Sequence, residues 1–442
     1  MNISVIGLGK LGLCTAACFA VKGHTVVGMD KNPYFIDELM HKRCLIDETG
    51  LEELLKGGWG NFRVTMSIKD AVLDSDITLV IVPTPSEADG RFTNRYVEDV
   101  LKSLGTILKG KETFHIVNVV STVMPGSSDQ YFKPLLEQLS GKVCGKDFGL
   151  VYNPEFIALG SVIKNFLNPD MVLIGASDEY SGNVVKELYQ TTCESSPDIA
   201  VMSLINAEIT KISLNCFVTM KISYVNELAS ICEQVPGADI DEITKAMGAD
   251  TRIGSKYLKG GLGFGGPCFP RDNIAFQAFA REVGMEARLG TQVVTINNLV
   301  VDRIYKIIAT HIQAGEKIAL LGLSYKPNTH IIEESQSIIL AKKLMENGYL
   351  LTVHDPKAIN ECKSIMSGKI KYSEDVYSCV EEASAVILLT NWSIYQQLDW
   401  DRISGIVKND ALLLDSWRIL KKSENTKNNY YYIGLGLGDY RN

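Results

Sequence analysis

The sequence predicts two doubly wound α/β units joined by a helical stretch, and three observations carry that reading. From residue 1 to about 195, short β-rich runs such as Thr78-Leu-Val-Ile-Val82, His115-Ile-Val-Asn-Val-Val120 and Met171-Val-Leu-Ile174 alternate with amphipathic stretches, the pattern of a parallel sheet covered by helices. Between about 200 and 295 the β-rich runs stop, and 207–234 reads as one long helix with apolar residues at helical spacing. After about 315 the alternation restarts with Lys317-Ile-Ala-Leu-Leu-Gly-Leu-Ser-Tyr325, a helix over 335–347 and Leu350-Leu-Thr-Val-His-Asp355. The expected domains are 1–198, 199–298 and 299–442. The polar stretch 421–429 is expected to be mobile.

Bulk properties bound the function. At 442 residues, 46% hydrophobic and 22% charged, the chain is long enough for two or three domains with proper cores. A formal net charge of -8 argues against a nucleic-acid or anionic-membrane surface, which needs a basic face to neutralise phosphates. The ten cysteines include no C-x-x-C pair and none lies near a His cluster with ligand spacing, so neither a metal site nor a disulfide framework is expected, and the reducing cytoplasm is the expected compartment. Thr15-Ala-Ala-Cys18 has the look of a lipoprotein cleavage site, but no basic segment precedes it and glycines interrupt the apolar run, so export is not expected. No uninterrupted apolar run of about 18 residues predicts a membrane span.

The first β-run opens into Gly7-Leu-Gly-Lys-Leu-Gly12, followed at the right distance by Asp30 after Val26-Val-Gly-Met29. A lone G-x-G-x-x-G is weak, but strand before, apolar helix after and acid beyond make it a dinucleotide fingerprint. Gly7 permits the tight turn, Gly9 the approach of a pyrophosphate to the helix N-terminus, and Gly12 close packing of helix on strand. Asp30 is placed to bind a ribose diol and to repel a 2'-phosphate, which favours NAD over NADP, with Lys31 and Arg43 nearby as the opposing signal. The second unit echoes this grammar with Gly322 and Asp355 but has one glycine where the first has three, which reads as a degenerate nucleotide-binding domain. The fold class is therefore α/β, two Rossmann-like parallel-sheet domains joined by a central helical region of the kind that makes dimer contacts.

Chemistry is concentrated in Gly260-Gly-Leu-Gly-Phe-Gly-Gly-Pro-Cys-Phe-Pro-Arg-Asp272, where Cys268 follows five glycines and precedes a carboxylate. Such glycine density lets backbone approach a ligand, and the prolines stiffen the segment presenting the sulfur. The other nine cysteines read as small buried hydrophobes. Glu208, Lys211 and Asn215, at i, i+3 and i+7, share a helix face. Spacing alone favours a solvated polar face with an ion pair; a Lys and an Asn one turn apart could also hold an oxyanion.

Taken together, the motifs resemble the UDP-glucose/GDP-mannose dehydrogenase family over nearly the whole chain. The resemblance rests on the glycine fingerprint, Val82-Pro-Thr-Pro85, Ser121-Thr-Val-Met-Pro-Gly126, Asn153-Pro-Glu-Phe156, Asn168-Pro-Asp170, the 208–215 face, Lys221-Ile-Ser-Tyr-Val-Asn-Glu227, Thr251-Arg-Ile-Gly254, the Cys268 loop, Gly322-Leu-Ser-Tyr-Lys-Pro327 and His354-Asp-Pro356. It implies NAD-dependent four-electron oxidation of the C6 alcohol of a nucleotide-bound hexose, through a thiohemiacetal and a thioester on Cys268, supplying precursors for polysaccharide. By the same resemblance Lys211 with Asn215 stabilises the oxyanion, Asp272 orients water or relays a proton, and Glu155 is the base for thioester hydrolysis. Thr84 and Thr122 line the nicotinamide side. Tyr257, Lys259, Gly265 and Lys326 belong to the nucleotide-sugar site with Glu155, Lys211 and Asn215, and Arg252 matches an arginine supplied across a homodimer interface.

Cys268-Phe-Pro-Arg-Asp272 looks closer to the UDP-glucose branch, with a UDP-N-acetylhexosamine or GDP-mannose as the alternative and a non-catalytic nucleotide-sugar-binding protein as a third reading. A two-electron hydroxy-acid dehydrogenase would share the first domain but not the thiol loop. Two departures bear on the site. Many members continue Asn-Pro-Glu-Phe with Leu-Arg-Glu-Gly, where this chain has Ile157-Ala-Leu-Gly160, and a frequent cofactor-facing arginine is replaced by Glu333. Either Arg418 substitutes for it or NAD is held differently.

Overall fold

A computed structural model describes residues 1–157, 159–368, 370–420 and 430–438. The stretch 421–429, expected to be mobile, and Ala158 of the departing 157–160 segment lie outside the described residues. The chain divides into two compact units, Met1–Ser213 and Leu214–Asn442, and the helix Leu204–Cys232 runs through the division.

In the first unit, β1 (Asn2–Ile6), β2 (Thr25–Met29), β3 (Phe62–Thr65), β4 (Ile77–Val80), β5 (Ile116–Val119), β6 (Gly149–Tyr152), β7 (Met171–Ala176) and β8 (Asp198–Ser203) form one sheet in the order β3-β2-β1-β4-β5-β6-β7-β8. The expected parallel pairing holds except at one step: β6 meets β7 antiparallel, Val151 opposite Ala176. The runs are nearly all apolar because both faces are covered, and β4, β5 and β6 are buried along their whole length. The helix Lys10–Val21 is buried from Gly12 to Ala20, and its small residues let it lie close on the sheet.

In the second unit, β9 (Lys317–Leu321), β10 (Leu350–His354), β11 (Ile370–Tyr372), β12 (Ala385–Leu388), β13 (Ala411–Asp415) and β14 (Tyr430–Gly434) make a parallel sheet ordered β11-β10-β9-β12-β13-β14. Both sheets reverse direction of growth beside their first strand, between β1 and β4 and between β9 and β12. In such sheets the crevice at the strand C-termini of this switch point is where ligands bind. The second unit also holds the helices Ile240–Ala249, Phe269–Glu282 and Arg288–His311 that frame the thiol loop.

Candidate active site

The first unit builds a dinucleotide cradle at its switch point. Gly7 has φ +95°, and a Cβ there would sit 2.2 Å from the Ile81 carbonyl oxygen at the end of β4. At Gly12 a Cβ would sit 1.9 Å from the Gly7 oxygen, so the turn and the helix can only meet through glycine. Gly9 differs: it caps the helix Lys10–Val21, and nothing lies within 4 Å of where its Cβ would be. That open space above a helix N-terminus is what a pyrophosphate needs. Asp30 is fixed by two backbone amides, Leu8 N–H to Oδ2 and Asn32 N–H to Oδ1, both 2.9 Å. The carboxylate is thereby oriented, with acceptor capacity left for a diol. Of the two nearby cations, Arg43 is held bidentate by Glu38 and Lys31 lies over the Tyr96 ring.

Beyond β4 and β5, Thr84 Oγ1 donates to the Thr122 carbonyl at 2.7 Å and joins two loops at the same crevice edge. Glu208 does not form the solvated ion pair that spacing favoured. Its buried carboxylate accepts from Gly126 N–H at 2.6 Å and Ser128 N–H at 2.8 Å, tying the Ser121–Gly126 segment to the long helix. Lys211 is also buried; its ammonium donates to the Glu155 carbonyl at 2.6 Å and lies 4.3 Å from the Phe156 ring centre.

Glu155 stands in the loop after β6, and Tyr189 Oη donates to its Oε1 at 2.6 Å. Burial pushes this carboxyl up to about 7, while the Tyr189 hydrogen bond and the Lys211 charge pull the other way. A carboxyl that ionises near neutrality is suited to take a proton from water. The loop is pinned further on by Glu48, whose buried carboxylate accepts from Gly160 and Val162 N–H.

The second unit builds the thiol site. Cys268 is the exposed thiol among ten cysteines and is in no disulfide. It is the N-cap residue of the helix Phe269–Glu282, where the aligned peptide dipoles favour a thiolate. Burial pushes the other nine thiols up. Five of them are buried as expected, whereas Cys44, Cys144, Cys193 and Cys216 are only partly so. One turn into the helix, buried Asp272 accepts from Asn215 Nδ2 at 2.5 Å and its carbonyl from the Cys216 thiol.

The glycine loop is held by two buried asparagines acting as detached pieces of backbone. Asn297 accepts from Phe264 N–H and donates to Phe264 O, and Asn226 accepts from Gly261 N–H and donates to Leu262 O. Added Cβ atoms would strike Asn297 Oδ1 at Gly263 and the Glu334 carbonyl oxygen at Gly265. Gly266 donates to the Glu333 carbonyl and lies under the Tyr325 ring, so the loop after β9, with Lys326, is packed against the thiol loop.

Arg418, the alternative offered for the missing arginine, is engaged within its own unit. Its guanidinium forks onto both Asp241 oxygens and donates to the Gly260 and Leu435 carbonyls, anchoring the start of the thiol loop. Among the remaining expected residues, Arg252 is exposed and paired with Asp250, Lys259 is exposed, and Tyr257 holds a positive φ of 63° while half exposed. The residues that sequence reasoning missed are Tyr189, Glu48 and Asn297. Asn297 had a signal, a polar residue on the apolar face of a long helix; Tyr189 had none, since an aromatic at such a position reads as core.

Three family models match in order: the NAD-binding domain of the UDP-glucose/GDP-mannose dehydrogenase family over 1–193, its central domain over 205–299 and its UDP-binding domain over 319–422. The chain belongs to this family. It is a nucleotide-sugar dehydrogenase that uses NAD.

A UDP-glucose 6-dehydrogenase of Haloferax volcanii is 33% identical over 427 residues, 96% of this chain and 98% of its own. A GDP-mannose 6-dehydrogenase of Pseudomonas syringae pv. syringae is 34% identical over 359 residues, 80% of this chain and 81% of its own. The solved structure of a UDP-glucose dehydrogenase from the archaeon Pyrobaculum islandicum matches with a TM-score of 0.88 at 32% identity, covering 99% of this chain and 98% of that one. NAD fits the first unit: Gly9 leaves room for its pyrophosphate and Asp30 presents an oriented carboxylate for a ribose. Among the described residues no cluster of His, Cys, Asp and Glu suits a metal, and no helix is long and apolar enough to cross a membrane.

Proposed function

We propose that this dehydrogenase oxidises UDP-glucose to UDP-glucuronate, removing four electrons at C6, and that Cys268 carries the intermediate. NAD, when bound, supplies the hydride acceptor for both oxidations. Loss of the first hydride, with the hydroxyl proton passing to water, leaves a C6 aldehyde, and the Cys268 thiolate adds to its carbon, forming a C–S bond as the carbonyl electron pair moves to oxygen. The Lys211 ammonium and the Asn215 amide, one turn apart on the long helix, are the donors for that oxyanion. Loss of the second hydride turns the thiohemiacetal into a thioester. Glu155 then takes a proton from water, the hydroxide adds, and the C–S bond breaks to return the thiolate and release the acid. Asp272, held by Asn215 one turn below the sulfur, orients water or relays the proton.

The observation that carries this reading is the exposed thiol at a helix N-terminus, on a glycine loop fixed by two buried asparagines. A binding protein has no use for such a nucleophile, which weighs against the non-catalytic reading. Tyr257, Lys259, Gly265 and Lys326 are assigned to the nucleotide-sugar and Thr84 with Thr122 to the nicotinamide side. The product is a precursor for polysaccharide. A second reading, the same chemistry on GDP-mannose or a UDP-N-acetylhexosamine, draws on the comparable identity, over a shorter span, to a GDP-mannose enzyme and on Leu159, four residues after the base in sequence. Incubation with NAD and each of UDP-glucose, UDP-N-acetylglucosamine, UDP-N-acetylmannosamine and GDP-mannose decides between them. Two NADH per UDP-glucose is expected; two with another sugar nucleotide and none with UDP-glucose overturns the assignment.

The functional form is a homodimer. Phe217, Tyr224 and Ile231 lie exposed at seven-residue spacing along the long helix, a stripe suited to a second copy of itself. Arg252 is the residue it lends to the partner. Co-expressed Arg252→Ala and Cys268→Ser chains, each inactive alone, are expected to recover activity together; no recovery places Arg252 in its own subunit's site.

A further inference from the structure

Resting on the role given to Glu155 above, we propose that Tyr189 is the positioning residue for thioester hydrolysis, its buried hydroxyl engaging one oxygen of Glu155 so that the other accepts water's proton. Tyr189 lies on the helix Glu179–Thr192, in the same unit as the loop that carries Glu155. It is 1% exposed, and its ring meets Phe19 and Phe166 at 6.3 and 5.8 Å between centroids. Such packing restrains the ring, so the 2.6 Å bond to Oε1 orients the carboxylate. A short phenol-to-carboxylate bond of this kind is charge-assisted and among the stronger ones proteins make.

The hydroxyl is itself backed by a chain of buried amides. Asn153, which bears on the Tyr189 phenol, donates through Nδ2 to the Leu173 carbonyl at 2.9 Å and accepts from Asn118 Nδ2 at 3.3 Å. Burial, with the adjoining Glu155 charge, pushes the phenol well above its ordinary range, so across neutral pH Tyr189 is a donor and never a competing base. The titratable groups facing Glu155 are Tyr189, Lys211 from the long helix, Cys18 from the helix after β1, and Cys193 just beyond the Tyr189 helix. Both thiols are raised by burial and stay neutral through the range in which Glu155 titrates. Tyr189 and Lys211 are therefore the two groups that favour the carboxylate. Lys211 is shared with oxyanion stabilisation, which leaves Tyr189 as the one dedicated to the base.

The test follows release of the Cys268 adduct by acid quench and intact-protein mass across pH, with UDP-glucose and NAD. Glu155→Gln is expected to trap the adduct, whereas Tyr189→Phe releases it with the pH midpoint moved up by about one unit, about tenfold slower below the midpoint. Replacement of Tyr189 by 3-fluorotyrosine, a stronger donor of the same shape, moves the midpoint the opposite way and carries the test if the Phe variant fails to fold. Tyr180→Phe, an exposed tyrosine on the same helix, keeps the wild-type profile. Unchanged midpoints for Tyr189→Phe or the fluorotyrosine protein, with Glu155→Gln still trapping the adduct, overturn the proposal while leaving the base assignment intact. Release by Glu155→Gln at the wild-type rate overturns that assignment and the proposal with it.

Discussion

The two sheets share a strand order and a turn grammar, yet their acids do different work. Asp30 after β2 accepts from two backbone amides and keeps capacity for a ligand. Asp355 after β10 is buried and accepts from the amides of Leu323, Ser324, Lys357 and Ala358, the Ser324 hydroxyl and the Trp392 indole. Gly7 and Gly322 both take φ near +100°, so the tight turn is kept in both. What differs is the next step: Gly9 leaves open space, and Ser324, two residues after Gly322, turns its hydroxyl onto the acid. One side chain in place of a glycine turns the second acid into a structural clasp, whereas the first keeps acceptor capacity.

That contrast predicts a graded series. Gly12→Ala drives a Cβ into the Gly7 carbonyl and should cost the first unit about 3 kcal/mol or more, read by denaturant unfolding. Asp355→Asn presents an NH2 to a nest of donors and should cost about 2 to 3 kcal/mol while NAD affinity is unchanged, read by unfolding and by NAD titration. Asp30→Asn reverses the pattern: stability stays within about 1 kcal/mol, NAD binding weakens about tenfold, and preference over NADP narrows. Equal behaviour of the two Asn variants in both assays would erase the distinction between the two acids. Gly9→Ala should fold normally and lose only cofactor affinity.

The smallest effect is electrostatic. With Glu155 raised from 4.5 to about 7, the folded first unit holds a proton that the unfolded chain releases between those values. Its contribution to stability is therefore present below about 4.5 and lost as pH rises through about 7. Glu155→Gln should flatten that part of the stability profile, measured by unfolding at a series of pH values.

The fold was legible because its signals are periodic and local: apolar runs buried on both faces, a glycine fingerprint, and a long apolar-spaced helix observed as Leu204–Cys232. The antiparallel step at β6 and β7 was not, because a strand's direction is set by the connection that leads into it and leaves no mark on its own residues. In the site, Cys268 and Asp272 declared themselves by glycine density and spacing. The partners that fix the two site loops did not: Asn297 reaches Phe264 of the thiol loop from 33 residues away, and Glu48 reaches Val162 in the loop beyond Glu155 from 114. Arg418 shows the same limit. Its sequence neighbourhood offered a cofactor ligand, and only the fold reveals Asp241 as its partner.

The most direct test of the account is the NADH formed per limiting UDP-glucose by Cys268→Ser beside the unaltered protein. Two are expected from the unaltered protein and at most one from the variant, because without the thiol no thioester forms and the second oxidation has no bound intermediate to act on. Two NADH and normal uronate from the variant would contradict it.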